Sequence, residues 1–141
     1  MTTVGDDAIV LAILSDVDIV AARQRGRALA GELGFSTTDA TLIATAISEV
    51  ARNIVTYAGK GEIVFRVLVD GARTGIEIVA RDEGPGIADI DRATRDGYSS
   101  GQGMGLGLPG CRRLMDEFRI EAAVGVGTTV TMRRWVGRHA G

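Results

Sequence analysis

Cysteine and histidine are almost absent from the 141 residues: each occurs once, as Cys111 and His139. A single cysteine cannot form an internal disulfide, so we expect a reducing compartment. A single histidine in the C-terminal tail excludes a Ser-His-Asp triad and a phospho-accepting histidine within a core helix. One cysteine and one histidine also argue against a zinc site, which usually takes four ligands.

The chain also lacks long hydrophobic runs and a basic leader. Its opening carries Asp6 and Asp7, and the apolar run 8–14 is too short to span a bilayer. We therefore expect neither export nor membrane insertion, and we predict a cytoplasmic protein with no membrane partner.

Basic residues do not dominate: 16 Lys and Arg are spread along the chain against 18 Asp and Glu, and the formal net charge is −2. A nucleic-acid reader normally carries a clustered basic excess, so no nucleic acid is expected as a partner. The phosphate-binding motif G-x-x-x-x-G-K-[ST] and the H-R-D and D-F-G motifs of eukaryotic-type protein kinases are absent too. The length fits one domain, residues 1–141.

Apolar periodicity and turn residues predict the secondary structure. We expect a strand over 8–14, followed by helices from Ser15 to about residue 33 and from Ser36 to about residue 57. Two strands should follow over 62–70 and 75–82, linked by 71–74, and then a long loop over 83–107 with one helical turn near Ile90. The rest should form a helix over 106–118, strands over 118–124 and 128–135 linked by 125–127, and a frayed tail over 137–141. This order predicts an α/β fold, a two-layer sandwich with helices on one face of a mixed, mainly antiparallel sheet.

Polar side chains follow one face of the second predicted helix. Glu49 and Asn53 are four residues apart, so they lie within about 40° of each other around the helix axis. A carboxylate and an amide are oxygen ligands of the kind that Mg²⁺ accepts. The alternative is an ordinary solvated helix face.

Strand alternation carries Asp82 toward the core with Ile76, Ile78 and Ala80. Burying a carboxylate is costly unless donors meet it, and the adenine amino group is one such donor. The alternative is an aspartate bonded to the amides of the turn that follows.

Glycine occupies every second position from Gly101 to Gly107, directly before a predicted helix with Pro109 in its first turn. Such a segment lets backbone amides approach phosphate oxygens, and the alternative is a flexible loop. The sequence from Gly105 to Gly110 also matches G-x-G-x-x-G, but no strand precedes it, so we regard that match as accidental.

Taken together, these features resemble the four sequence boxes of the GHKL ATPase superfamily, in order and spacing. The boxes are Glu49 with Asn53, then Asp82-x-Gly84-x-Gly86, then the glycine-rich segment before a helix, then Gly125-x-Gly127-Thr128. Within the superfamily, the stretches 21–24, 46–54, 57–61 and 107–110 are similar to the switch kinases of the stressosome.

The resemblance implies a Bergerat ATP-binding fold. The resemblance also implies a role for each residue. Asp82 would bind the adenine amino group, and Gly84 and Gly86 would let the purine approach. Asn53 would hold Mg²⁺, and Glu49 would be the general base. The segment containing Gly101, Gly103, Met104, Gly105, Leu106 and Gly107 would close over the phosphates, and Thr128 would support the adenine end.

One departure concerns charge. Related anti-sigma-factor kinases carry an arginine before the Gly-Met-Gly of this segment, where this chain has Gly101 and Gln102. Arg92, Arg95, another residue or the metal would then have to meet the charge of the transferring phosphate.

The function that this resemblance implies is an ATP-dependent protein serine/threonine kinase in a stress-signalling partner switch. Its substrates would be STAS-domain proteins, and it would bind and activate a PP2C-type phosphatase. The main alternative is a nucleotide-controlled binding module that sequesters a sigma factor or regulator with little catalysis. An ATPase module of a chaperone or mismatch-repair protein and a dinucleotide-binding oxidoreductase are weaker alternatives.

Overall fold

The computed structural model describes residues 2–4, 8–84 and 107–137. In chain order the elements are β1 (Thr2–Val4), β2 (Ile9–Ile13), α1 (Asp16–Glu32), α2 (Thr37–Asn53), a π-helix (Ile54–Ala58), β3 (Gly61–Asp70), β4 (Arg73–Asp82), α3 (Gly107–Leu114), β5 (Glu117–Ala123) and β6 (Gly127–Trp135).

The strands form one sheet in the order β1-β3-β4-β6-β5, and β2 shares the outer edge of β3 with β1. β2 pairs with the first half of β3 and β1 with its second half. All pairings among the described strands are antiparallel. The mainly antiparallel sheet is therefore confirmed, and the parallel component implied by "mixed" is not seen among these strands.

The helices cover one face of the sheet, as predicted. Side chains on that face of β3, β4 and β6 are fully or almost fully buried and share one core with the apolar side of α2. The residues at its centre include Ile43, Ile47, Ile63, Phe65, Ile78 and Met132. The opposite face carries paired charges, with Glu77 accepting from Arg133 at 2.9 Å.

Both predicted helix starts are confirmed by their side-chain caps. The Asp18 carboxylate accepts the backbone N–H groups of Leu14 and Ser15 at 2.8 and 3.2 Å, and Ser36 Oγ accepts the N–H of Asp39 at 3.1 Å. These oxygens bind donors that would otherwise lack partners at a helix N-terminus.

The second helix reaches residue 58 as predicted, but its last turn is a π-helix. Gly59 ends it, donating its N–H to the Ile54 carbonyl at 2.8 Å with a φ of 82°. A left-handed residue at this position is a common helix stop, and glycine adopts it without a steric penalty.

Three predicted boundaries were wrong. The β3–β4 link is Gly71 and Ala72 alone, because Arg73 already pairs with Asp70 in the strand register. The third helix stops at Leu114 rather than at residue 118, since Asp116 turns the chain toward β5 by donating its N–H to the Arg133 carbonyl at 2.9 Å.

The link between the last two strands is 124–126 rather than 125–127, and β1 was not predicted. The helical turn expected near Ile90 and the tail beyond Gly137 lie outside the described residues.

Candidate functional site

The C-terminal half of α2 carries the first two predicted site residues. Glu49 is 6% exposed, which is low for a carboxylate, and Asn53 is half-buried one turn further on. The alternative of a solvated helix face therefore fails for Glu49. Asn53 makes no side-chain hydrogen bond to another described residue, so its amide remains available to a ligand.

A positive charge and a thiol lie against Glu49. Arg52 Nη1 lies 3.2 Å from both Glu49 carboxylate oxygens. The Cys111 thiol of α3 donates to the Ala46 carbonyl at 3.5 Å, and the pKa of this thiol is raised to about 12, first by burial and then by the negative charge of Glu49. The Glu49 carboxylate thus lies on the side of α2 that packs against α3.

Asp82 ends β4 and is half-buried. Ile76, Ile78 and Ala80 are buried on the core side, which confirms the predicted alternation. Asp82 Oδ1 accepts the N–H of Gly84 at 2.8 Å, so the turn alternative is also realised at one oxygen. No described residue donates to Oδ2, which leaves that oxygen as an acceptor for a ligand.

Gly84 brings this turn against the end of the second helix. A Cβ at Gly84 would lie 2.6 Å from the Cβ of Ala58 in the π-helix, far inside van der Waals contact. Ile54, at the start of the π-helix, similarly packs against Gly61 in β3. The Asp82 turn and the helix bearing Asn53 are therefore in direct contact through glycine.

β6 completes the Asp82 end of the site. Thr128 pairs with Asp82 in the strand register and is half-buried. Gly127 packs against the Asp82 carbonyl with a φ of 146°, a conformation that side-chain-bearing residues rarely adopt. This glycine lets β6 approach the Asp82 turn closely.

Gly107 begins α3 with a φ of 60°, and α3 packs against α2 through Cys111. The remaining predicted site residues, Gly86, Gly101, Gly103, Met104, Gly105 and Leu106, lie outside the described residues.

A magnesium ion fits this donor set only if most of its ligands come from elsewhere. Within residues 8–84 and 107–137, no three His, Cys, Asp or Glu side chains are grouped to hold a metal ion. Mg²⁺ commonly keeps several waters and binds substrate phosphates beside one or two protein oxygens. The amide of Asn53 meets that modest requirement.

Arg52 is the site residue that the sequence analysis did not select. It was on the predicted polar face of α2, and its spacing of three residues from Glu49 was the available signal. The π-helix residues that contact Gly84 were missed as well, because no local sequence pattern distinguishes a π-turn from an α-turn.

An open groove lies between α1 and α2, and none of the described site residues lines it. It is lined by Arg23, Gln24, Arg27, Thr41, Ala44 and Thr45. In the part of the chain that the structure describes, no helix has the length and apolar character needed to cross a membrane.

The chain is similar to known proteins. Residues 14–134 match the family described as Histidine kinase-like ATPase domain. The chain is 51% identical over 124 residues to the serine/threonine-protein kinase RsbT of Bacillus subtilis, covering 88% of this chain and 93% of the relative.

Two anti-sigma F factors are more distant relatives. The chain is 30% identical over 118 residues to that of Caldanaerobacter subterraneus, covering 79% of this chain and 81% of the relative. It is 31% identical over 116 residues to that of Thermoanaerobacter sp. strain X514, covering 78% of this chain and 80% of the relative.

The resemblance predicted from the four sequence boxes is thereby confirmed, as is the predicted enzyme class, an ATP-dependent protein serine/threonine kinase. The matched region contains every described element from α1 to β5 and all of β6 except its last residue, Trp135. The chain belongs to the family of histidine kinase-like ATPase domains.

Proposed function

We propose that this protein transfers the γ-phosphate of Mg·ATP to a serine or threonine of a STAS-domain partner protein. Released from that partner, it binds and activates a PP2C-type phosphatase. ATP as substrate and the free thiol of Cys111 agree with a cytoplasmic location.

One observation carries the proposal: the C-terminal end of α2 bears a buried acid and an available amide, and it directly contacts the turn of a half-buried aspartate. Glu49 and Asn53 supply the first two groups, and Gly84 against Ala58 joins the Asp82 turn to them. A catalytic base, a metal ligand and a purine acceptor are thereby available on adjoining elements.

The adenine end would be read by Asp82. Its Oδ1 is held by Gly84, which fixes the carboxylate plane, and Oδ2 can accept the adenine amino group. Gly84 and Gly86 would leave room for the purine, and Thr128, across from Asp82, would add its hydroxyl. Residues 101–107 would contact the phosphates through backbone amides.

Asn53 would be the protein ligand of Mg²⁺. A bound magnesium ion would neutralise phosphate charge and fix the phosphate geometry. The Asn53 side chain is neutral and half-buried, so it can hold such an ion without adding negative charge next to the triphosphate.

Glu49 would act as the general base. It would accept the proton of the substrate hydroxyl as that oxygen attacks the γ-phosphorus, and the bond from phosphorus to the ADP oxygen would break. A positioned base typically contributes about 10²–10⁴-fold to the rate. The low exposure of Glu49 supports the role, because water competes poorly for a buried carboxylate.

The test is incubation of the purified protein with labelled Mg·ATP and candidate STAS-domain proteins. Wild type should transfer label to serine or threonine. Glu49→Gln and Glu49→Ala should keep ATP binding and lose about 10²–10⁴-fold in transfer rate. Glu32→Gln, at an exposed position on α1, is the matched control and should transfer normally. Full transfer by both Glu49 variants would refute the assigned base.

The second candidate function is a nucleotide-controlled binding module that sequesters a sigma factor or regulator with little catalysis. The matches to two chains named anti-sigma F factor favour it. In the same assay it predicts nucleotide-dependent capture of a partner without label transfer.

A further inference from the structure

The exposed guanidinium of Arg52 forms an ion pair with the buried carboxylate of Glu49. A single nitrogen, Nη1, lies 3.2 Å from both oxygens of Glu49. The Arg52 side chain is 45% exposed and that of Glu49 is 8% exposed. The guanidinium is therefore the solvent-accessible member of the pair.

Most of the hydrogen-bonding capacity of Arg52 is not used. A guanidinium carries five N–H donors, and Nη1 supplies at most two of them to Glu49. Arg52 donates to no other described residue. The donors on Nε and Nη2 are left for a second anion, and arginine binds phosphate oxygens in a bidentate manner.

The proposed reaction needs a positive charge at this point. A base close enough to take the proton of the attacking hydroxyl is also close to the γ-phosphate, and two negative groups repel each other strongly in a site with little water. The glycine-rich segment 101–107 contains no lysine or arginine. Arg52 supplies such a charge, since its Nη1 lies 3.2 Å from Glu49 Oε1.

We propose that Arg52 is a phosphate-binding catalytic residue that contacts Glu49 before nucleotide binds and the γ-phosphate of ATP afterwards. This inference rests on the proposed function, since it uses Glu49 as the base. The exchange does two things: it places a cation on the transferring group, and it frees the Glu49 oxygens to accept the proton.

A purely structural role makes different predictions. Positions three apart on a helix often form weak ion pairs, and a cation in the last turn of α2 also favours the helix dipole. Such a pair would affect ATP and ADP binding equally, because neither ligand would contact it. A contact with the γ-phosphate affects ATP alone.

The test is calorimetric titration of ATP and ADP, each with Mg²⁺, into wild type, Arg52→Gln and Arg52→Lys, with circular dichroism to check folding. Arg52→Gln should weaken ATP binding about 10- to 100-fold more than ADP binding. Arg52→Lys should recover part of the ATP preference, since it restores the charge but not the bidentate geometry. Arg25→Gln, at an exposed position on α1, is the control and should match wild type.

The outcomes separate the two proposals. Equal weakening of ATP and ADP, or no change in Arg52→Gln, would overturn the role of Arg52 and leave the kinase proposal intact. Selective loss of ATP binding supports Arg52 even if no protein substrate is labelled. Absence of nucleotide binding by wild type would overturn both.

Discussion

A Cβ on any other residue at position 127 would collide with the carbonyl oxygen of Asp82. Gly127 also has a φ of 146°, so both its backbone conformation and its surroundings require glycine. This contact joins β6 to the Asp82 turn, and the adenine end of the proposed site depends on it.

Gly127→Ala should therefore damage both stability and nucleotide binding. A side chain at that φ costs on the order of 1–3 kcal/mol, and the collision with Asp82 adds to it. We expect a lower urea midpoint and weaker ATP binding in the fraction that remains folded.

Gly125→Ala is the matched control for this substitution. Gly125 also has a positive φ, 78°, but a Cβ there would meet nothing within 4 Å. It should show the backbone cost alone and keep wild-type affinity for ATP. Equal affinities in the two variants would contradict the role given to the Gly127 contact.

The ion pair between Arg134 and Asp39 ties β6 to the first turn of α2. Arg134 Nη2 lies 2.9 Å from Asp39 Oδ1, and the two side chains are 12% and 11% exposed. Removal of one partner of a buried pair is strongly destabilising, so Arg134→Ala should cost about 3 kcal/mol in urea unfolding.

The exposed pair of Arg119 with Glu121 provides the comparison, since its side chains are 74% and 62% exposed. Arg119→Ala should change stability by less than about 0.5 kcal/mol. Similar losses of unfolding free energy in the two variants would show that the Arg134–Asp39 pair does not hold β6 against α2.

The raised pKa of the Cys111 thiol predicts that the stability of the protein falls at high pH. The pKa of its thiol is about 12 in the folded protein, against 9.0 without burial. The unfolded chain therefore loses this proton first as pH rises. The stability contributed by the protonated thiol is complete below about pH 9 and is lost progressively as the pH approaches about 12.

Urea unfolding of wild type and Cys111→Ala at about pH 7.5 and about pH 10.5 measures this effect. Other groups titrate alike in both proteins, so their difference isolates the thiol. Relative to the variant, wild type should lose about 1–2 kcal/mol across this interval. A constant difference would show that the thiol titrates normally.

Much of the fold was predictable because the local signals agreed with the tertiary structure. The caps at Ser15 and Ser36 and the alternation that buries Ile76 and Ile78 each determine an element on their own. The errors came where tertiary contacts determine the end of an element. The N–H of Asp116 bonds to the Arg133 carbonyl just after α3, and no local sequence pattern predicts this contact.

The candidate site was predictable as a set of residues and not as a set of contacts. The spacing of Glu49 and Asn53 follows from helix geometry, but the approach of Gly84 to Ala58 depends on the π-turn and on how β4 ends. The position of Arg52 against Glu49 depends on the rotamers of both side chains, which helix spacing alone does not determine.

The most direct test of the nucleotide site is calorimetric titration of Mg·ATP into wild type and Asp82→Asn, with Asp16→Asn, at an exposed position, as control. The substituted amide keeps an acceptor for the Gly84 N–H but presents an NH₂ donor to the adenine amino group. Wild type and the control should bind Mg·ATP, and Asp82→Asn should lose about 10- to 100-fold in affinity for it. A flat wild-type titration, or equal affinities in all three proteins, would contradict the proposed nucleotide site.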